Sequence, residues 1–269
     1  MTKLRLLIAL FCLPLLTATT QASILDDFNS GVIVTDFLFD DVANTQIQAA
    51  FNSADTALFD ADADNDDVVT NGAGQLDASG KANTDFGTNY VDVDPLNAGR
   101  VIGLYDVSWD FDESVYDPAQ DEEFRMTFIT FDPRSTFVTA EIFFTRTSAT
   151  EVTLHGNGVG TGSSDTPDVV LGSSGSLLTM LDANLSDDTF ELWYSADNGV
   201  SFVSGGIGNL DPARGVESIR LVLNEDFSDD ALLIERFAAS WVIPEPSTAL
   251  VLVIGLVALG SVQRLHRTC

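Results

Sequence analysis

The chain has 269 residues, 45% of them hydrophobic, which allows one large or two small domains. Twelve lysines and arginines stand against 41 aspartates and glutamates, and between Ser23 and Ile243 eight bases face 40 acids, a net charge of −32 that repels nucleic acid and anionic lipid. Cys12 and Cys269 lie near the ends and His155 is the one histidine between Ser23 and Ile243, so the middle excludes disulfides, thiolate metal sites, cysteine nucleophiles and multi-histidine zinc sites.

Residues 1–22 read as a secretory signal peptide. Lys3 and Arg5 precede an 11-residue apolar core, Leu6 to Leu16, and small polar residues lead to Ala22. Signal peptidase is expected to cut between Ala22 and Ser23. The apolar core falls short of the roughly 20 residues a membrane span needs, which argues against an uncleaved anchor.

Residues 23–243 form the expected ectodomain, and they carry period-2 alternation with no sustained helical period. Val101 to Phe111 sets Val101, Gly103, Tyr105, Val107, Trp109 and Phe111 on one face. Glu123 to Phe131, Phe137 to Arg146, Glu151 to His155, Thr189 to Ser195, Ser201 to Val203, Ile219 to Asn224 and Leu232 to Trp241 read as further strands. Asp132-Pro133, Gly156-Asn157-Gly158, Asp197-Asn198-Gly199 and Asp211-Pro212 supply turns between many of them. The fold class expected is all-β, an antiparallel two-sheet β-sandwich. With Leu25-Asp-Asp-Phe28 opening the domain, this order of strands and turns resembles concanavalin A-like and laminin-G-like jelly rolls. Hydrolases of that fold carry a Glu-x-Asp-x-x-Glu cluster on one strand, and this chain has no such spacing, so the resemblance implies a sandwich without that chemistry.

Several residues within the domain invite a chemical reading. The run Asp60-Ala-Asp62-Ala-Asp64-Asn65-Asp66-Asp67 places Asp62, Asp64 and Asp66 at positions 1, 3 and 5 of a calcium loop, with the Val68 carbonyl as a further oxygen. Position 6 is Asp67 instead of glycine and position 12 is Ala73 instead of an acid, so a weak calcium site and a solvated polar loop both fit. Trp193 alternates with the inward set Phe190, Leu192 and Tyr194, hence points outward and is the candidate ligand platform. Trp109 with Asp110, Asp112 and Glu113 forms either a sugar-binding edge or core followed by a solvated rim. His155 lacks a cysteine or serine partner at a recognisable spacing, and the Gly156 to Gly162 loop lacks the lysine of a phosphate cradle. No catalytic residue is assigned.

The C-terminus carries a second address in residues 244–269. Pro244-Glu245-Pro246 holds the backbone extended, an apolar helix over about residues 248–263 follows, and Arg264 and Arg267 close it. The basic tail keeps the C-terminus cytoplasmic by the positive-inside rule, so the acidic domain faces outward. This order resembles the PEP-CTERM sorting signal, whose bearers are substrates of exosortase, a membrane protease-transferase of Gram-negative bacteria that make exopolysaccharide. The resemblance implies a protein exported through the inner membrane, held transiently by its C-terminal helix and released to the envelope or beyond. The function expected is non-enzymatic binding or a structural role tied to extracellular polysaccharide or biofilm matrix. The alternative is a secreted carbohydrate-active enzyme on a jelly roll, and a third reading is a calcium-stabilised adhesin.

Overall fold

The computed structural model describes residues 24–38, 59–60, 69–70, 73–77, 89–96, 99–119, 122–132, 135–224 and 231–242. One helix, α1 (Ile24–Ser30), precedes β1 (Val32–Leu38), β2 (Phe59–Asp60), β3 (Val69–Thr70), β4 (Leu76–Asp77) and β5 (Asn89–Leu96). Then come β6 (Arg100–Asp110), β7 (Glu123–Asp132), β8 (Ser135–Ser148), β9 (Glu151–Gly158) and β10 (Val169–Gly172). The last five are β11 (Ser174–Asn184), β12 (Thr189–Ser195), β13 (Val203–Asn209), β14 (Val216–Asn224) and β15 (Ala231–Val242).

They form two antiparallel sheets. The front sheet has the order β13-β12-β11-β6-β15-β4-β3, with β1 also paired to β15, and the back sheet has the order β10-β9-β8-β7-β14-β5-β2. The chain changes sheet on both sides of β2, of β5 and of β14, and between β6 and β7 and between β10 and β11, as a jelly roll does.

Alternation decides which side chains meet between the sheets. From the front sheet come Val101, Tyr105, Val107 and Trp109 on β6, Leu181 and Ala183 on β11, Phe190 and Leu192 on β12, and Ile234 and Phe237 on β15. From the back sheet come Phe124, Met126 and Phe128 on β7, Ile142 and Phe144 on β8, and Val152 and Leu154 on β9. Tyr105 meets Phe124 edge-on at 5.2 Å, and Trp109 meets Phe144 at 4.9 Å. Each such side chain, once buried, stabilises the fold by about 1.5–3 kcal/mol. The glycines at one edge of this core make room for a ring. A Cβ at Gly156 would lie 2.6 Å from Phe190, and one at Gly208 2.3 Å from it, so the Gly-rich stretch is a packing device.

A second apolar cluster lies on the other face of the front sheet. Ile24 and Phe28, one turn apart on α1, cover Ile102 and Leu104 of β6, Leu178 and Met180 of β11, and Ala238 of β15. Asp26 and Asp27 stand in the first turn of α1, where the helix dipole favours acids. Ser240 Oγ donates to the Phe28 carbonyl at 2.8 Å, fixing the helix end to β15. Gly31 follows at a point where any Cβ would fall 2.1 Å from Ser240 Oγ.

The expected strands from Val101 to Phe111, Thr189 to Ser195 and Leu232 to Trp241 coincide with β6, β12 and β15 to within a residue or so. Several elements differ from expectation, and β1, β5 and β10 were not among the expected strands at all. Residues opening the domain are helical, because a single i, i+4 apolar pair suffices once a sheet is available to receive it. β11 was not expected, since the burial of Leu177 through Leu181 on both sides erases the period-2 signal. The strand expected at Ser201 to Val203 instead begins at Val203, because Asp197 draws Ser201 into the turn. Ser201 N donates to Asp197 Oδ1 at 2.9 Å and Ser201 Oγ donates to Oδ2 at 2.6 Å. These bonds, with the Ser195 hydroxyl first, hold the Asp197 carboxyl down at about 2.

Candidate functional site

The outward residues of the front sheet change character along the strands. At the α1 end they are apolar, and beyond it they are polar. Register places Asn184 beside Arg100 and Thr189, and Asp182 beside Ile102 and Glu191, with Ile207 of β13 beside Glu191. Together Arg100, Asp182, Asn184, Thr189, Phe190, Glu191 and Ile207 line an open cavity of about 300 Å³. That is at the small end of ligand pockets, which run from about 300 to 1,000 Å³.

Arg100 organises the floor. Its Nε donates to Asp182 Oδ1 at 3.0 Å, Nη2 to Asp182 Oδ2 at 2.5 Å, and Nη1 to Asp27 Oδ2 on α1 at 3.1 Å. The guanidinium is held above its ordinary pKa, foremost by the Asp182 hydrogen bond, which outweighs its partial burial. Asn184 is oriented by Ser186 N, which donates to its Oδ1 at 3.1 Å, and by its own bond to Asp187 Oδ2 at 2.8 Å. Ser204 Oγ donates to Glu191 Oε1 at 2.6 Å. Ile207, 64% exposed, gives the wall an apolar patch.

This set suits recognition of hydroxyl-rich molecules more than their cleavage. Asp182 and Glu191 face each other across β11 and β12, an arrangement in which a glycosidase would divide the acid and base roles. Here the Arg100 fork occupies both Asp182 oxygens, and an arginine–carboxylate fork is among the stronger hydrogen-bonded pairs. The lining retains one carboxylate, one amide and one hydroxyl to meet a ligand.

Trp193 lies one outward position beyond Glu191 on β12. It is half-buried against the α1 cluster, and its Nε1 has no hydrogen-bond partner. Trp109 belongs to the core, with Nε1 donating to the Gly172 carbonyl at 3.0 Å. Asp112 accepts from Ser114 N at 2.8 Å in a local turn, and Glu113 accepts from Ser173 Oγ at 3.3 Å.

His155 stands on the outer face of the back sheet in a row that crosses β7, β8 and β9 and ends at Asp168, just before β10. Arg125 lies 4.9 Å over the Phe143 ring, Phe143 stacks on His155 at 4.9 Å, and His155 Nδ1 is 3.7 Å from Asp168 Oδ1. Face-to-face stacking leaves the rings covering one another, so this row is no open aromatic platform. Beneath it Glu141 accepts from Thr127 Oγ1 at 3.2 Å and from Asn157 Nδ2 at 3.3 Å.

Asp62, Asp64, Asp66 and Val68 lie outside the described residues, as do Ala22, Ser23, Pro244, Glu245, Pro246, Arg264 and Arg267. Among the described residues no cluster of metal-ligating side chains occurs, and no helix is long and apolar enough to cross a membrane. The pocket residues Arg100, Asp182, Asn184, Thr189, Glu191 and Ile207 were not singled out by the sequence. The outward alternation of Thr189, Glu191 and Trp193 was visible there, but not the neighbouring strand that makes a pocket of it.

No protein-family profile matches the chain, and no curated protein sequence matches it. Solved structures with a similar fold include the CBM2 module of the evolved Dit protein of Lactobacillus casei BL23 phage J-1. It has 10% identity and a TM-score of 0.47, over 79% of this chain and 96% of that one. Basic winged bean lectin, solved with Tn-antigen, has 11% identity and a TM-score of 0.45, over 77% and 98%. The VIP36 exoplasmic/lumenal domain, in its Ca²⁺/Man₂-bound form, has 6% identity and a TM-score of 0.48, over 77% and 90%.

Proposed function

We propose that the chain is an exported protein of a Gram-negative cell envelope, sorted by exosortase, whose β-sandwich binds extracellular polysaccharide without cleaving it. The observation that carries the binding reading is the pocket of Arg100, Asp182, Asn184, Thr189, Glu191 and Ile207 on the outer face of the front sheet. It combines a carboxylate, a hydroxyl and an amide, which address sugar hydroxyls, with an aliphatic wall for a sugar C–H face. The export reading is supported by the signal peptide ending at Ala22 and by Pro244-Glu245-Pro246 with its apolar helix and the Arg264 and Arg267 tail. The Arg100 fork on Asp182 favours binding over the hydrolase alternative.

The test is a binding screen of the exported protein against immobilised polysaccharides, run beside an assay of reducing-sugar release from the same polymers. A bound polymer with no release, and about tenfold weaker binding in Thr189→Val/Glu191→Ala, is the expected result. Sugar release abolished by Glu191→Ala would establish the enzyme instead. For sorting, intact mass from a cell with exosortase is expected to show a chain lacking Val251 to Val262. Calcium is proposed to bind weakly at Asp62, Asp64, Asp66 and the Val68 carbonyl, at about 10⁻⁴ to 10⁻³ M. Millimolar calcium is then expected to raise the melting temperature more than magnesium does, and Asp62→Ala/Asp64→Ala is expected to remove the difference.

A further inference from the structure

We propose that the sugar selected by the front-sheet pocket carries a protonated amine, a 2-amino-2-deoxyhexose unit, and that acidic sugars are rejected; this rests on the carbohydrate-binding reading above. The pocket's cation is already spoken for. Arg100 directs Nε and Nη2 to the two oxygens of Asp182 and Nη1 to Asp27, so two carboxylates offset its single charge. A uronate reaching for this guanidinium must displace one of them, and both are fixed in place by β11 and α1.

Glu191 tips the balance further. Only its Oε1 is engaged, by Ser204 Oγ, and no hydrogen bond among the described residues reaches Oε2. Thr189, whose hydroxyl is likewise unengaged among the described residues, lines the same cavity. A carboxylate oxygen and a hydroxyl oxygen together accept from an ammonium, which has three N–H donors and no acceptor of its own. Ile207, paired with Glu191 in register, offers its exposed side chain to the C–H face of the same ring. The surrounding domain carries a net charge of −32, which concentrates cationic sugars near the surface and thins out anionic ones.

Short oligosaccharides separate a local contact from that general field. The exported protein is titrated calorimetrically at pH 6 with a glucosamine disaccharide, its N-acetylated form and a glucuronate-containing disaccharide. The amine form is expected to bind about tenfold more tightly than the N-acetylated form, because a charge-assisted hydrogen bond replaces a neutral one. Glu191→Gln is expected to erase that preference, the amine form losing about tenfold more affinity than the N-acetylated form loses. Glu151→Gln, the same charge change at an exposed position on β9, is expected to leave the preference intact. If the acidic or N-acetylated sugar binds as tightly as the amine, the charge inference fails while the carbohydrate reading stands. If Glu151→Gln erases the preference as fully as Glu191→Gln, the selectivity belongs to the long-range field and not to the pocket. If none of the three binds, the carbohydrate reading itself fails, and the inference with it.

Discussion

The outer faces of the two sheets solve different problems. The front sheet presents an apolar strip of Ile102, Leu104, Leu178 and Met180 and hides it beneath α1. On the back sheet the described residues show no such helix, and its outer face carries a partly exposed row of Arg125, Phe143, His155 and Asp168 beside the buried Thr127 and Glu141. An aromatic side chain has opposite meanings on the two: Phe28 is an anchor with no exposure, whereas Phe143 is a cross-strand stacking partner. The difference shows that outward direction on a strand does not by itself mark a binding residue. What matters is whether another element returns to cover the position.

The contrast breaks most readily at α1. Phe28→Ala removes a fully buried ring from a small cluster and is expected to cost about 3–4 kcal/mol, read from the urea midpoint. It is also expected to weaken saccharide binding, since α1 carries the Asp27 that steadies Arg100. A loss below about 1 kcal/mol would mean that the helix rests on the sheet without stabilising it.

The back sheet has its own costly site. Arg146 and Glu122 pair at 3.0 Å with side-chain exposures of 0% and 4%. Arg146 Nη2 also donates to the Asp112 carbonyl at 2.8 Å, and the guanidinium lies 5.2 Å over Phe111 and 5.1 Å over Tyr116. Glu122→Ala strands that charge in the interior and is expected to cost about 3 kcal/mol in the same measurement. By comparison the partly buried Arg100–Asp182 pair, with side-chain exposures of 27% and 11%, lines the pocket, and its disruption is expected to show in binding first.

Asp106 sharpens the comparison by pH. It sits on the outer face of the front sheet, where burial first and then Glu235 push its carboxyl up to about 6, against Arg236. A raised carboxyl penalises the folded state above its folded pKa, and the penalty fades as pH falls toward the unfolded value near 4. Asp106→Asn is therefore expected to stabilise by about 1 kcal/mol at pH 7, after allowing for solvent screening. The two stability curves are expected to converge below about pH 4. A gap independent of pH would assign the gain to some other cause.

The smallest effect belongs to the open row. Phe143→Ala loses a cation–π contact and a stacked neighbour at a partly exposed position, and is expected to cost about 0.5–1 kcal/mol. Saccharide binding on the front sheet is expected to stay unchanged in that variant. Binding lost here and retained in Glu191→Ala would move the site to the other sheet.

Where one face of a strand is dry and the other wet, the fold was legible in the sequence. Alternation marked β6 and β12, and the Asp197-Asn198-Gly199 turn was recognisable because Asn198 and Gly199 take positive φ, at 55° and 81°. Legibility ended where a third element intervened. Leu178 and Met180 face α1 while Leu177 and Leu181 face the back sheet, so β11 reads as an apolar run around Thr179 without a period. The candidate pocket needs that strand, since Asp182 and Asn184 lie on it, so it stayed invisible for the same reason. Trp193 was given its outward direction by alternation, but the cluster that half-buries it gathers Phe28, Ile102, Met180 and Ala238 from four separate elements. No local pattern encodes that.

β15 has a mechanical consequence. It is flanked along its length by β6 on one side and by β1 and β4 on the other, and Val32 lies in register with Trp241. The first strand of the domain thus grips the last near its C-terminal end. While the C-terminal helix still holds the tail beyond Ile243 at the membrane, before the proposed cleavage, tension enters along the axis of β15. Ladder hydrogen bonds run across a strand's axis, so such a pull shears many of them together instead of peeling them one by one. With no cysteine between Ser23 and Ile243 to staple it, the domain resists drag through the position of that strand in the sheet.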